Sequence, residues 1–545
     1  MDNYFVSSCK RVKDWIRRQF GQKEKKTVHH KKFADGGEVI VWETGRAGEE
    51  AASYENLFLR KEIAGFRTNI RREQSCSIKS LTRDYLYKQL LSSGEYTFDH
   101  MLVIKDPYGE APLTALALFI LEEPACVRVT TKGNLKETDF VTELPKKKEH
   151  RVPILGMYAE KANDIVIEIL DDEGNCVKSH TFTIRTKRLP KSLRNVITVK
   201  KWTDKPAYSN IMINGGVKIH TCVFDIEGKI RYYLSRKPRG YGIFPLSDGH
   251  FFYMEKYISV PSYSNPQTVE SYDMDYFGRV FRTYLTEKGV HHTAEEKAGG
   301  NILTGSNSML EHTEDCVIEI DRQTGEIVWQ LNMAEIFDET YQNMMDWCHV
   351  NSAAYYEKDR TILISLRNVH AVICVDYDTK KLRWILSDPK FWEGTKMTPY
   401  LLQPEGDVKW CYQQHAAFEI ALPDESNPQK KRIIVYDNHW AKRRKAKSFD
   451  KDPLSYVSFY DIDEEKKTVS LHKRFAGPKT RIRANGIYVP DKKRVYNMAG
   501  SYAEPVDGDG GGIFEYDYET GEVLSEFGVK PGFFRAYPFE PNVQE

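Results

Sequence analysis

The sequence has no run of about 18 consecutive apolar residues, so no segment reads as a membrane-spanning helix. It has no CxxC pair, and its 9 cysteines, an odd number, are scattered along 545 residues. That excludes a disulfide framework and a cysteine-based zinc site, fits a reducing compartment, and leaves packing as the expected role of the thiols. Neither sign of charge is in excess: 79 Lys+Arg stand against 78 Asp+Glu, a formal net charge of +1. A chain so balanced has no global field to gather nucleic acid or polyanions, so nucleic acid is not an expected partner and any anion specificity must be local. The N-terminus, "MDNYFVSSCKRVKDWIRRQFGQKEKK", lacks both an uninterrupted apolar stretch and a small-residue cleavage pattern, and a cytoplasmic location is expected. Val12, Trp15, Ile16 and Phe20 share one face of a helical projection, with Lys10, Arg11, Arg17 and Arg18 elsewhere. That pattern suits a basic interfacial helix, although packing against the body of the protein is the commoner outcome.

A chain of 545 residues exceeds the roughly 250 to 300 that one compact core supports, so several domains or a closed repeat architecture are expected. A repeat is present. "VIEIDRQTGEIVWQL" (Val317 to Leu331), "VICVDYDTKKLRWIL" (Val372 to Leu386), "VSFYDIDEEKKTVSL" (Val457 to Leu471) and "IFEYDYETGEVLSEF" (Ile513 to Phe527) share one plan. Each is an alternating strand ending near an aspartate, then a polar or glycine turn, then a second strand. "CVFDIEGKIRYYL" (Cys222 to Leu234) and "SYDMDYFGRVFRTYL" (Ser271 to Leu285) are weaker copies. The six hairpins recur at roughly 45 to 85 residues, somewhat longer than usual propeller blades.

A second hairpin precedes several copies. "HTAEEKAGGNILTGSN" opens at His292, "HVNSAAYYEKDRTILISLRN" at His349, "HAAFEI" with "KRIIVYDNHW" at His415, and "NGIYVPDKKRVYNMAGS" at Asn485. Two hairpins make a four-stranded antiparallel blade, and six blades make a β-propeller whose innermost strands line a central channel. His292, His349 and His415 then converge at one mouth of that channel, with Arg367 from the end of "TILISLR". A lone histidine at a strand end is usually a surface or capping residue; three in one repeat register point to a site, because channel-facing titratable groups are costly without a purpose. His291 reads as the outward neighbour of His292, and His370 and His439 fall outside the register. Arg367 has Asp346 as an alternative, structural partner, and Asn351 has turn capping as its alternative role. "DGDGGG", Asp507 to Gly512, is followed by no helix signal and reads as a flexible loop connecting blades.

Three imidazoles with a guanidinium admit two chemistries. A metal centre normally adds carboxylate or thiolate ligands, and this register supplies Arg367 and Asn351 instead. A guanidinium repels a dication and forks onto an oxyanion, so the set suits a tetrahedral anion, sulfate or phosphate. A metal-dependent hydrolase and a propeller that only binds protein partners remain the alternatives.

"DWCHVNSAAYYEKDRTILISLRNVHAVICVDYDTKKLRWIL" and "YQQHAAF" resemble the signatures of the bacterial arylsulfate sulfotransferases: His-x-Asn-Ser, a strand ending in Ser-x-Arg, then Gln-His, in that order. The likeness runs from about Ser192 to the C-terminus. It implies an all-β fold, a six-bladed β-propeller preceded by a small immunoglobulin-like β-sandwich. It also implies a transferase moving a sulfuryl group from a phenolic sulfate ester to a phenolic acceptor, without PAPS or other cofactor, by a ping-pong route through a sulfohistidine. The partners are then small molecules, an aryl sulfate donor and a phenol. By this resemblance the sulfohistidine falls on His415, two further catalytic histidines on His292 and His349, and the catalytic arginine on Arg367. Asn351 matches a polar, substrate-binding position. The sequence departs from the family at "RNVHAV", where a His-Gln follows the arginine in other members, and at "DNHW", which carries His439. A threonine of a later inner strand is missing from "RIRANGIYV", and Asn485 is its nearest substitute as a substrate-binding residue. No metal ligand is implied.

Upstream, residues 76–188 show short alternating strands with turn punctuation, the pattern of a β-sandwich that resembles the family's immunoglobulin-like domain. "KSLTRDYLYKQLLS" reads as a helix leading into it, "RTKRLPKSLRN" as the linker to a propeller over 189–545, and residues 1–75 as an N-terminal arm, partly helical. Exposed sandwich edges make a homodimer the expected assembly.

Overall fold

The computed structural model describes residues 28–33, 37–52, 54, 76–203, 205–216, 218–236, 241–258, 267–308, 312–422, 426–440 and 452–540. The basic helix read over residues 10–20 lies outside them.

Each of the six hairpins forms. Cys222–Asp225 pairs with Ile230–Tyr233, Gln267–Met274 with Val280–Glu296, and Cys316–Ile320 with Ile327–Asn332. Ala371–Asp376 pairs with Leu382–Leu386, Leu454–Asp463 with Thr468–Pro478, and Gly511–Asp517 with Val523–Val529, all antiparallel. The recurring aspartate closes the turn. Its carboxylate accepts backbone N–H groups: Asp225 from Glu227 and Lys229, Asp321 from Gln323 and Thr324, Asp376 from Thr379, and Asp517 from Glu519 and Thr520. An Asx-turn of this kind satisfies donors that the ladder leaves over, which is why the residue type recurs.

The hairpins belong to five sheets in a propeller-like arrangement. Four of them have four or five strands. The remaining one has seven, because the long strand Val280–Glu296 ends one run (Gly242–Pro245, Phe251–Ile258, Gln267–Met274) and opens the next (Ile302–Ser306, Cys316–Ile320, Ile327–Asn332). Strands Val280–Glu296, Val350–Tyr356, His415–Ile420, Asn485–Val489 and Arg535–Pro538 each touch the next in chain order. Closure comes from both ends of this half. Arg535–Pro538 pairs with Asn210–Asn214, and Ile197–Lys201 adds to the outer edge of Val523–Val529. The "DGDGGG" loop joins Arg494–Ala499 to Gly511–Asp517, two paired strands of one sheet, and not two blades as its sequence suggested.

The N-terminal half is a sandwich built on two long strands. Ala115–Thr131 and Phe140–Ile154 pair along most of their length, and the other edge of Ala115–Thr131 changes its neighbour midway. Leu118 faces Leu102 in one leaf, and Val129 faces Ile167 in the other. The first leaf extends into the region read as an arm. Val28–Lys32 pairs with Glu38–Trp42, which runs parallel to His100–Lys105. The sandwich therefore begins well before residue 76. "EVIVW" hid this because it does not alternate: Val39 and Val41 enter the sandwich core while Ile40 and Trp42 lie under helices Thr44–Ala52 and Cys76–Ser92. The second of these helices is the one read from "KSLTRDYLYKQLLS".

The two halves share a hydrophobic interface. Leu102, Leu116, Phe140 and Leu155 of the sandwich join Met212, Tyr232, Tyr253, Tyr276 and Phe539 in one cluster. At its centre Arg231 is fully buried, and its guanidinium donates to the carbonyls of Gly156 and Thr138 and to Asp225 at 3.3 Å, stacked 4.0 Å over the Tyr158 ring. Cys126, Cys176, Cys222, Cys316, Cys348, Cys374 and Cys411 are free thiols, most of them buried, and none of the helices among the described residues is long and apolar enough to cross a membrane.

Candidate active site

The sequence places polar residues where three inner strands begin, and each strand has a β-bulge close by: His292 lies within its slip, His349 stands just before a strand whose slip skips Asn351, and His415 is the paired residue that precedes its slip. The ladder slips between His291 and Ala294, between Val350 and Ser352, and between His415 and Phe418. A bulge leaves the extra residue unpaired and turns its side chain out of the pleat. His292 and His349 both take φ of 58°, a left-handed conformation that costs a non-glycine residue about 1 kcal/mol or more and clusters at functional sites. In the third strand the left-handed residue is Ala416, so His415 stands one position earlier than the repeat register implied.

The imidazoles of His292 and His349 meet with centroids 4.7 Å apart. His349 is held by two carboxylates: Nδ1 lies 2.6 Å from Oε2 of Glu314 and 2.9 Å from Oδ2 of Asp346. Burial disfavours its charged form, but Asp346 and Glu314 together outweigh burial and push its pKa up to about 9. Glu314, fully buried, is held well below the usual carboxylate range against its own desolvation, by His349 and then His292. The pair is an imidazolium carboxylate. Tyr241 donates to the other oxygen of Glu314 at 3.1 Å, and its ring lies 4.3 Å from that of His292.

His292 has a different state. Nε2 of His291 donates to the carbonyl of Ser306 at 2.8 Å, which leaves Nδ1 of His291 as an acceptor for Nδ1–H of His292 at 3.2 Å. Burial holds His292 well below the usual imidazole range despite Glu314. It is neutral, with its lone pair on Nε2. His291 is thus an interior residue that fixes a tautomer and not an outward neighbour.

His415 is also neutral. Burial and then the positive charge of Arg367 hold it well below the usual range. Its Nδ1 meets Oδ1 of Asn438 at 2.6 Å. The orientation of that amide is set by its other end, since Nδ2 of Asn438 donates to Thr480 Oγ1 at 2.9 Å and to the carbonyl of Arg483 at 3.3 Å. Oδ1 can only accept, so Nδ1 of His415 carries the proton and Nε2 keeps the lone pair, met by the backbone N–H of Arg483 at 3.3 Å.

Arg367 donates to Asn368 Oδ1 and Gln413 Oε1, both at 3.2 Å. Gln413 stands two residues from His415, and the arginine is thereby anchored beside that imidazole. Asn351 donates to the carbonyl of Gln414 at 2.8 Å and steers the strand that carries His415, while its own side-chain oxygen is buried. Asn485 is not brought to the site as a donor. Its amide donates to the carbonyl of Ala536 at 2.8 Å and accepts from the Ala536 N–H at 3.1 Å, which locks the first strand of one sheet to the closing strand of the next. His439 and His370 are committed elsewhere: His439 Nδ1 meets Asp437 Oδ2 at 2.8 Å, and His370 Nδ1 accepts from the Gln413 N–H at 3.0 Å.

The sequence reading set metal aside for want of carboxylates, and the structure corrects that premise. His291, His292 and Glu314, and likewise Glu314, Asp346 and His349, bring one ligand atom each within 4.8 Å of one another. Glu314, Tyr241 and Asn438 were missed because they come from loops and strand ends outside the opening positions of the repeat. The available signal was Glu314 in "HTEDC", which precedes a repeat strand much as Asp346 precedes "CHVN".

A neutral imidazole with its tautomer fixed, a guanidinium anchored next to it and an imidazolium across the site, on a propeller-like all-β scaffold, define an enzyme of group transfer. The comparisons agree with that class. The Arylsulfotransferase (ASST) family matches residues 195–535, and the Arylsulfotransferase Ig-like domain matches residues 102–187. The chain belongs to the arylsulfotransferase family and is a transferase. Arylsulfate sulfotransferase AssT of Lelliottia amnigena is 22% identical over 563 residues, covering 78% of this chain and 90% of that protein. Arylsulfate sulfotransferase AssT of Escherichia coli O6:H1 (strain CFT073) is 23% identical over 566 residues, with the same coverage.

Proposed function

We propose that the protein transfers a sulfuryl group from an aryl sulfate to a phenol without a nucleotide donor, through a sulfohistidine at His415. The carrying observation is the tautomer of His415: a neutral imidazole whose Nδ1–H is held by Asn438, which leaves the lone pair on Nε2, with the charge of Arg367 acting on the ring. In the first half, Nε2 gives up its 3.3 Å contact with the Arg483 N–H and attacks sulfur in line with the ester oxygen. The N–S bond forms as the S–O bond breaks, and the phenolate leaves with the electron pair. Arg367 stabilises the charge on the sulfonate oxygens.

The proton comes from His349. Its Nδ1 is engaged by Glu314 and Asp346, so Nε2–H is the acid, and its pKa of about 9 is close to the roughly 10 of a phenol. In the second half the incoming phenol returns that proton to His349, attacks sulfur, and frees His415. Neutral His292 packs against His349 and helps to position its ring. The scaffold reading is a six-bladed propeller, with the seven-stranded sheet counted as two blades that share Val280–Glu296.

The test uses the purified protein with p-nitrophenyl sulfate, with and without a second phenol and with no nucleotide. Nitrophenol release that depends on the acceptor, with a sulfonate on the His415 peptide when the acceptor is left out, is the expected result. Release independent of acceptor makes the protein a sulfatase, and normal turnover in His415→Ala removes the nucleophile assignment.

One observation favours a second reading, a metal-assisted hydrolase: the two compact donor sets that share Glu314. That reading requires stoichiometric metal in the purified protein and loss of activity with a chelator.

A further inference from the structure

Buried guanidinium groups in this fold have oxyanion or carbonyl partners. Arg231 faces Asp225 at 3.3 Å and two backbone carbonyls. Arg535 lies 3.7 Å from Glu295 and donates to the Asn351 carbonyl at 2.8 Å. Arg483 differs in its counter-charge. Its side chain is partly buried, its Nη1 has no hydrogen-bond partner, as holds also for Nη2 of Arg231 and Nε of Arg367, and none of the carboxylates among the described residues pairs with it. Its surroundings are themselves cationic or neutral. It lowers the pKa of Lys218, whose burial already does so, and the one group that supports its own charge is the Tyr241 hydroxyl. Burial pulls the guanidinium below its usual value. A desolvated cation without a counter-charge is expensive to fold around, and an anionic ligand is what repays it.

The backbone fixes where this residue stands. The Arg483 N–H meets Nε2 of His415 at 3.3 Å, and its carbonyl accepts from Asn438 Nδ2, the amide that holds the other nitrogen of the same ring. Arg483 and Ala484 take φ of 65° and 129°, left-handed backbone that other residue types adopt at a cost and that is found where function demands it. The side chain starts at the attacking nitrogen, and its charge reaches Tyr241, whose ring lies against His292. Its backbone thus stands at the nucleophile, and its charge acts on the tyrosine that packs against His292.

We propose that Arg483 is a sulfonate-binding residue of this site, a second guanidinium that faces Arg367 across the group being transferred. The proposal rests on the aryl sulfate reading above and deepens it. With two guanidinium groups, more than one non-bridging oxygen of the sulfonate receives a charged donor, and each is held through attack and departure.

The experiment measures binding, so that it does not depend on turnover. Inorganic sulfate and p-nitrophenyl sulfate are titrated by calorimetry into full-length His415→Ala protein, and into the same protein carrying Arg483→Gln, Arg483→Lys or Arg367→Ala. Circular dichroism checks that each is folded. The expected result is a loss of about 10- to 100-fold in affinity for both probes with Arg483→Gln, the worth of a charged hydrogen bond, and a smaller loss with Arg483→Lys. Unchanged affinity in Arg483→Gln, with a loss in Arg367→Ala, overturns the role of Arg483 and leaves the aryl sulfate reading standing. Absence of binding to the His415→Ala parent overturns both. If Arg483→Gln does not fold, Arg483→Lys decides: affinity equal to the parent for both probes shows that no forked donor is used, and overturns the proposal.

Discussion

Glu314 and His349 form a buried ion pair, Oε2 to Nδ1 at 2.6 Å, beside the neutral imidazole of His292. Asp346 adds a second carboxylate to the same nitrogen at 2.9 Å, and Tyr241 satisfies the far oxygen of Glu314. The consequence is asymmetry. Of the three imidazoles at this site, one is kept charged by carboxylates that the sequence repeat does not contain, and two are kept neutral by burial. A site in which neighbouring titratable groups are pushed in opposite directions has its acid and its base already assigned.

The first prediction concerns pH. Activity is expected to fall as pH rises through about 9, where His349 gives up its proton, while burial holds His415 well below the usual imidazole range and keeps the acid limb low. Glu314→Gln removes one of the two carboxylates and moves the alkaline limb downward. Linkage gives the sign for stability. The folded pKa of His349 is raised above the unfolded value of roughly 6.5, so the ion pair stabilises fully below that value, and the contribution is lost as pH rises through about 9. Profiles of kcat/KM and of Tm against pH for the two proteins check both statements; an unmoved alkaline limb in Glu314→Gln would take the proton role away from His349.

Asn438 is expected to act through His415 alone. Asn438→Ala leaves Nδ1–H of a buried imidazole without its acceptor and frees the ring to rotate or change tautomer. The loss expected in turnover is about 10- to 100-fold, the equivalent of one well-placed hydrogen bond at a reacting group. Steady-state kinetics should show this in kcat with little change in KM, and two-dimensional NMR of the imidazole nitrogens should show a mixed tautomer. An unaltered tautomer with reduced kcat would mean that the amide does something else.

Arg367→Ala should lower turnover by on the order of 10² to 10³, the effect of removing one donor to a developing anion. Because the guanidinium is anchored by Asn368 and Gln413, Arg367→Lys loses the fork and should recover only a small part. Equal rates in Arg367→Lys and the parent would show that charge without geometry is enough.

Much of this architecture was legible in the sequence. The hairpin with a terminal aspartate is a local device, each copy closed by its own carboxylate and backbone, so its pattern survives in the chain and gives the propeller-like fold. The three histidines were legible for the same reason, since they open inner strands. What was not legible is what couples them. Glu314 reaches His349 from a loop before another strand, Asn438 reaches His415 from the far end of a neighbouring strand, and Asn485, which matched a binding position, uses both ends of its amide on Ala536. Those relations depend on which residues the closed ring brings opposite one another, and spacing along the chain does not encode it. The N-terminal boundary failed for another reason: Glu38–Trp42 is buried on both faces by a core and a pair of helices, and a strand so placed has no alternation to read.

A last prediction tests the support behind His292. Gly305 pairs with His291, and a Cβ on Gly305 would stand 2.6 Å from Cε1 and 2.8 Å from Nδ1 of the His291 ring, and 3.0 Å from its carbonyl oxygen. The ring cannot yield, because it is completely buried and its Nε2 is bonded to Ser306. Gly305→Ala is therefore expected to destabilise the protein by ~1–3 kcal/mol, the usual cost of overpacking, seen as a lower urea midpoint. Because Nδ1 of His291 is the acceptor that fixes the His292 tautomer, turnover should fall more than the fraction of folded protein does. The compensating variant His291→Ala in the Gly305→Ala background should restore stability without restoring turnover, since it makes room for the methyl group and leaves His292 without its acceptor. Recovery of both together would show that His291 only fills space.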